Sequence, residues 1–163
     1  MSGRWRFVVR RPQDAFANGQ PTVTSAKVVG PGAVVAHPLR SQMFDWEIEL
    51  ALVIGKRSRR LTLDNALEAV AAYTVAIDLS ARDFNQAPNT FYKLDRVAGK
   101  AQDSCCSLGP RLVPAAFVRD PHDLALGLSV NGERKQDART SDMDVRHPRA
   151  ARDLVQHHDA RAR

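Results

Sequence analysis

The stretch FDWEIELALVIG, Phe44 to Gly55, decides how the rest of the chain is read. As a strand, with side chains alternating between two faces, it points Asp45, Glu47 and Glu49 to one side and Trp46, Ile48, Leu50, Leu52 and Ile54 to the other. The acidic side continues with Ala51 and Val53. A face that passes from three carboxylates to small apolar residues is not solvated along its whole length. The sequence therefore sets paired carboxylates beside a buried patch, where a charge is costly unless a cation or hydrogen-bond donors meet it.

Downstream of the basic run KRSRR, Lys56 to Arg60, Thr62 is placed to cap a helix on which Leu63, Ala66, Leu67, Val70 and Ala71 repeat at helical spacing. A β-branched strand, Tyr73 to Ile77, follows and closes on Asp78, after which LSARDFNQ reads as a polar loop or short helix. Upstream, Val28 to Pro38 (VVGPGAVVAHP) suggests two short strands around a Gly-Pro-Gly turn. Near the other end, Leu124 to Val130 and Glu133 to Asp137 flank Asn131-Gly132, the strongest short hairpin signal. Several strands and few helices predict a β-rich α+β fold.

With 163 residues, 44% of them hydrophobic, the chain suits one domain with a genuine core. Residues 1–27 hold little to order them, 28–143 carry the core pattern, and 144–163 form a polar, basic tail with little to bury. No apolar run approaches the roughly 18 residues that span a bilayer, and the N-terminus lacks a signal-peptide core. Cys105 and Cys106 are sequence neighbours, unsuited to a long-range disulfide or a zinc site, and read as packing residues. The expectation is a soluble, cytoplasmic protein with no membrane partner. The net charge of +6 is scattered among acidic residues without interleaved aromatics, which argues against nucleic acid as a partner. His37 reads as a loop residue, and His147, His157 and His158 as part of a solvated tail.

Asp78, ending an apolar strand, makes Glu47-x-Glu49 more than a polar strand face. Three convergent carboxylates would form the hard, oxygen-rich set that Mg²⁺, Mn²⁺ or Ca²⁺ prefers. Four blocks in order, DWEIELALVIG, YTVAIDLSARDFNQ, VAGKAQDSCCSLGP and LSVNGERKQDARTSDM, resemble the fumarylacetoacetate hydrolase family over about Val28 to Met143. The resemblance implies a mixed β-sandwich roll, here incomplete, with a divalent metal (Mg²⁺ or Mn²⁺, Ca²⁺ as an alternative) and homodimers. It places the metal ligands on Glu47, Glu49 and Asp78. Arg82 matches the arginine of the S-A-R-D motif that helps hold substrate, and Lys100 the lysine that contacts substrate or a developing oxyanion. Asp103 matches a nearby aspartate and reads as a structural hydrogen-bond partner.

Substrates of that family are 2-oxo or 1,3-diketo acids, so the resemblance implies a hydrolase, isomerase or decarboxylase passing through a metal-stabilised enolate. Its hydrolases resemble one another in an N-terminal His-Glu pair that activates water, and this chain shows no histidine before His37. After Met143 the family's Gly/Thr-rich turn is replaced by DVRHPRAARD. Enol–keto conversion or decarboxylation is accordingly expected ahead of hydrolysis. The alternative is a noncatalytic metal-binding or dimerising module on the same fold.

Overall fold

The computed structural model describes residues 27–143 except Arg57, Arg59, Arg60, Thr90 and Tyr92. The expectations for the N-terminal segment before Lys27 and for the tail after Met143 lie outside the described residues. Among the described residues no helix is long and apolar enough to cross a membrane. Strands dominate: β1 (Val28–Val29), β2 (Phe44–Asp45), β3 (Ile48–Ile54), β4 (Val70–Asp78), β5 (Ser80–Ala81), β6 (Cys106–Leu108), β7 (Val113–Pro114), β8 (Ala125–Val130) and β9 (Glu133–Arg139), with one short helix, α1 (Arg96–Lys100). The chain divides into two compact units, and the long strand β4 runs through both.

The first unit holds Ile48–Val75 and, among the described residues, 111–143. Its centre is β3, on which every residue from Ile48 to Leu52 is buried, so both faces of this strand are covered. The Ile48 amide donates to the Gln136 side chain at 2.8 Å, tying the start of β3 to β9. Beside it, β4 pairs with β7 in antiparallel register, Ala72 opposite Pro114 and Tyr73 opposite Val113. The hairpin of β8 and β9 turns at Asn131-Gly132, as the sequence predicts. Both residues have positive φ (52° and 83°), the requirement of a type I′ turn that Asn and Gly meet at least cost.

The expected helix over Thr62 to Ala71 does not form. Only Ala66–Ala69 make a 3₁₀ turn, and Val70 already begins β4. The physical reason lies in the overlap of two periods. Val70, Ala72, Thr74, Ala76 and Asp78 alternate as a strand and are all buried, while Ala71 and Val75 face out. That nine-residue alternation, rich in β-branched side chains, captures the two residues that completed the helical pattern. Leu63 is left 48% exposed, and Thr62, instead of capping, donates its amide to Asn65 Oδ1 at 2.8 Å.

The second unit holds residues 27–47, among those described, and Ala76–Pro110. The end of β4 pairs antiparallel with β6, Asp78 opposite Cys106, and β6 pairs parallel with β1. Cys105 and Cys106 are fully buried and unlinked, the packing role expected of them, and burial pushes the Cys105 thiol pKa up. Of the two strands expected in Val28 to Pro38, only β1 forms: Gly32 turns with φ +78°, and beyond it Val34 is 91% exposed with no ladder to join. The stretch LSARDFNQ starts as the short strand β5 and then turns. His37 sits in a loop, its ring edge-on to Phe44 at 4.9 Å.

Candidate metal centre

Chain register builds the site. In the second unit β2 runs antiparallel to β5, with Phe44 opposite Ala81 and Asp45 opposite Ser80. The same register continues past both ends of the ladder: Arg82 donates its amide to the Met43 carbonyl at 2.8 Å, and Glu47 and Asp78 exchange amide-to-carbonyl bonds at 3.1 and 2.9 Å. Residues that exchange both bonds stand directly opposite, so their side chains share a face. Glu47 and Asp78 are thereby neighbours. Glu49 lies two residues beyond Glu47 on the same continuous segment, hence on the same side of the extended chain. One carboxylate oxygen from each of Glu47, Glu49 and Asp78 comes within 4.8 Å of the others.

Helix α1 brings the lysine. Asp95 caps it, accepting from the Ala98 amide at 2.9 Å, and Asp95 itself donates its amide to the Asn85 carbonyl. At Gly99 the helix approaches the turn after β5 so closely that a Cβ would stand 2.1 Å from Asn85 Oδ1 and 2.9 Å from the Ala81 carbonyl. Only glycine fits, and the next residue, Lys100, is delivered into the interior at 1% exposure. The sequence carried no signal for this helix, since five residues are too short for a periodic pattern. Gly99→Ala is expected to cost about 1–3 kcal/mol through overpacking and to displace Lys100. Chemical denaturation checks the first and a crystal structure of the variant the second.

Buried opposite charges knit these parts together. Lys100 Nζ donates to Glu47 Oε2 and Asp78 Oδ2, each at 2.7 Å. Lys27, also 1% exposed, donates to the other Asp78 oxygen at 2.8 Å. Arg82 reaches Asp45 Oδ2 at 2.8 Å and Glu47 Oε1 at 2.5 Å. Burial alone would lower the Arg82 pKa, but its hydrogen bond to Asp45 and the charges of Glu47 and Asp45 outweigh that, and the pKa rises. Asp83, next to Arg82 in sequence, accepts from Ser41 Oγ and the Gln42 amide, both at 2.7 Å, strapping the segment before β2 to the turn after β5.

Those bonds hold the Asp83 carboxyl below its ordinary 3.8, the Gln42 amide contributing most and Ser41 next. A depressed carboxylate pKa adds stability above the unfolded value and loses it as pH falls through the folded one. Asp83→Asn is therefore expected to be less stable than the parent at neutral pH, with the gap closing below pH 3.8. Urea melts across that range check it. A constant gap would mean that Asp83 acts by shape alone.

Sequence reasoning missed two members of the network. Lys27 stands alone before an apolar pair, with no spacing to mark it. Asp45 appeared on the acidic face without a role. Asp103 contributes its backbone carbonyl to the Ser104 hydroxyl. The Glu47, Glu49 and Asp78 donor set fits a hard divalent cation: all are anionic oxygens, clustered and largely buried, the chemistry that Mg²⁺, Mn²⁺ or Ca²⁺ selects.

Comparison with known proteins agrees. Residues 7–158 match the fumarylacetoacetate (FAA) hydrolase C-terminal family. The chain is 43% identical over 119 residues to the human oxaloacetate tautomerase FAHD2A, mitochondrial, covering 73% of this chain and 37% of that one. It is 40% identical over 136 residues to the bovine oxaloacetate tautomerase FAHD2B, mitochondrial, covering 82% and 42%. It thus spans about two fifths of these relatives' length. Among solved structures, fumarylpyruvate hydrolase from Pseudomonas aeruginosa in complex with Mn²⁺ and pyruvate superposes with a TM-score of 0.76 at 28% identity, covering 86% of this chain and 61% of that one. A probable 2-hydroxyhepta-2,4-diene-1,7-dioate isomerase from Mycobacterium abscessus gives 0.74 at 31%, covering 84% and 51%. Motif order, strand register, family match and structural likeness converge, and this chain belongs to the fumarylacetoacetate hydrolase family.

Proposed function

We propose that this chain is the metal-dependent core of an enzyme that interconverts the enol and keto forms of a small 2-oxo acid. The observation that carries the reading is the buried Lys100 ammonium, shared by Glu47 and Asp78 inside the acidic cluster. A lysine at 1% exposure is costly to bury, and here it lies where a substrate oxygen would meet the carboxylates. The relatives named oxaloacetate tautomerase support the reaction class, and the pyruvate in the P. aeruginosa enzyme supports a 2-oxo acid.

In this reading Glu47, Glu49 and Asp78 hold Mg²⁺ or Mn²⁺, which supplies Lewis-acid polarisation of the substrate carbonyl. Lys100 Nζ would donate to the substrate oxygen whose negative charge is greatest between the keto and enol forms, an interaction stronger in the transition state than in the ground state. Arg82 is about one third exposed and uses Nε and Nη2 on Asp45 and Glu47. Its guanidinium has five donors, so Nη1 is available to a substrate carboxylate.

The test follows oxaloacetate enol–keto conversion by ultraviolet absorbance with Mn²⁺, alongside decarboxylation and hydrolysis of an acylpyruvate, with Asp78→Asn as the blank. Conversion above the blank and faster than hydrolysis is expected. Hydrolysis outrunning conversion, or a blank as fast as the parent, overturns the reading. No turnover of any substrate, with Mn²⁺ still bound, would instead favour a noncatalytic module.

A further inference from the structure

We infer that Ser80 is a positioning residue for Lys100: its hydroxyl takes over the Lys100 ammonium when a divalent cation occupies Glu47 and Asp78; this rests on the metal centre proposed above. Ser80 is fully buried in β5, and its Oγ meets no hydrogen-bond partner among the described residues. A hydroxyl buried without a partner is costly, so such an atom calls for a reason. The register says what surrounds it. Glu47 pairs with Asp78, Asp45 with Ser80, and the Met43 carbonyl with the Arg82 amide, so Asp45, Glu47, Asp78, Ser80 and Arg82 lie on one face of two extended segments in the second unit.

Ser80 thus follows Asp78 on its own chain and stands opposite Asp45. Neither carboxylate takes its proton. Asp45 accepts from the Trp46 amide at 2.9 Å and from Arg82 at 2.8 Å, and Asp78 accepts from Lys27 and Lys100. Helix α1 packs on β5, with Gly99 against the Ala81 carbonyl, and Lys100 leaves it to reach Glu47 and Asp78 on that same face. The idle hydroxyl therefore lies one position along the ladder from the two carboxylates that hold the ammonium. A cation bound to Glu47 and Asp78 competes for their oxygens and repels an ammonium that sits 2.7 Å from both. Lys100 is 1% exposed, so a replacement acceptor has to come from the interior. A serine hydroxyl accepts as well as donates, and this one has no other commitment to break.

The test measures metal-free melting and Mn²⁺ binding by calorimetry on the purified chain, Ser80→Ala, Lys100→Met and the double variant, at one pH and ionic strength. Ser80→Ala removes no bond from the metal-free protein and is expected to melt there with the parent or above it. It should nevertheless bind Mn²⁺ about tenfold more weakly, the size of one hydrogen bond to a charged group. Beside Lys100→Met the same substitution should change Mn²⁺ affinity by less than about twofold, because the ammonium it serves is gone. A merely structural role would act equally in both backgrounds. Mn²⁺ affinity unchanged in Ser80→Ala overturns the inference. A loss that persists beside Lys100→Met does so too, since Ser80 then serves the carboxylates directly, and so does a lower metal-free melting temperature, since the hydroxyl then already has a partner. If Lys100→Met does not fold, Ser80→Thr, which keeps the hydroxyl, decides: affinity near the parent's supports the inference, and affinity as weak as that of Ser80→Ala overturns it. Parent protein that binds no Mn²⁺, or Asp78→Asn that binds it as tightly as the parent, overturns the metal centre itself and this inference with it.

Discussion

Glu49→Gln is expected to abolish the rise in melting temperature that Mn²⁺ gives the parent chain. A ligand that binds only the folded state stabilises by RT ln(1 + [L]/Kd), about 2.7 kcal/mol at a hundredfold excess over Kd. For a chain of this size that corresponds to a shift of roughly 5–10 °C. Glutamine keeps the shape of glutamate and removes the charge, so it tests ligation with little disturbance of packing. Losing Glu47 breaks its contacts with Lys100 and Arg82, so Glu47→Gln alone would mix lost ligation with broken ion pairs. A Glu49→Gln protein whose melting temperature still climbs with Mn²⁺ would show that the ion sits elsewhere. The double variant Glu47→Gln plus Glu49→Gln should match the single variant in losing the shift while melting lower without metal.

The acidic triad was legible because it lies on two strands whose pattern is local. Glu47 and Glu49 keep the two-residue period, and Asp78 ends an apolar run, so each could be marked before any pairing was known. Their convergence depends on a register between residues 44–47 and 78–81, which no local pattern specifies. The same limit hid Lys27, which acts on a residue 51 positions away. Lys100 could be marked only by resemblance, because the five-residue helix that carries it is held by a cap and a glycine contact rather than by amphipathic spacing. The helix expected over Thr62 to Ala71 failed for the opposite reason. Its pattern was strong, but Val70 and Ala71 served two periods at once, and the longer strand pattern, with tertiary pairing behind it, won.

Lys100→Met is expected to give a protein that is less stable without metal, more responsive to metal, and nearly inactive. Three consequences follow from one ammonium. First, Glu47 and Asp78 lose the cation they share at 2.7 Å, and breaking a buried ion pair from one side costs about 3–5 kcal/mol. Second, Mn²⁺ returns positive charge to those same carboxylates, so the metal-induced rise in melting temperature should exceed that of the parent. Third, the donor assigned above to the oxygen that gains charge in the proposed enol–keto conversion is gone. Removing one such donor costs roughly 10²- to 10³-fold in kcat. Lys100→Arg should not restore the rate, because a planar guanidinium delivered at the end of α1 cannot take the compact position of an ammonium between two carboxylates. Calorimetric melts with and without Mn²⁺, together with kcat and KM on oxaloacetate, separate the cases. A loss confined to KM would make Lys100 a binding residue only. A Lys100→Met protein that keeps its kcat within about threefold, a change of well under 1.4 kcal/mol in barrier, would remove Lys100 from the chemistry altogether.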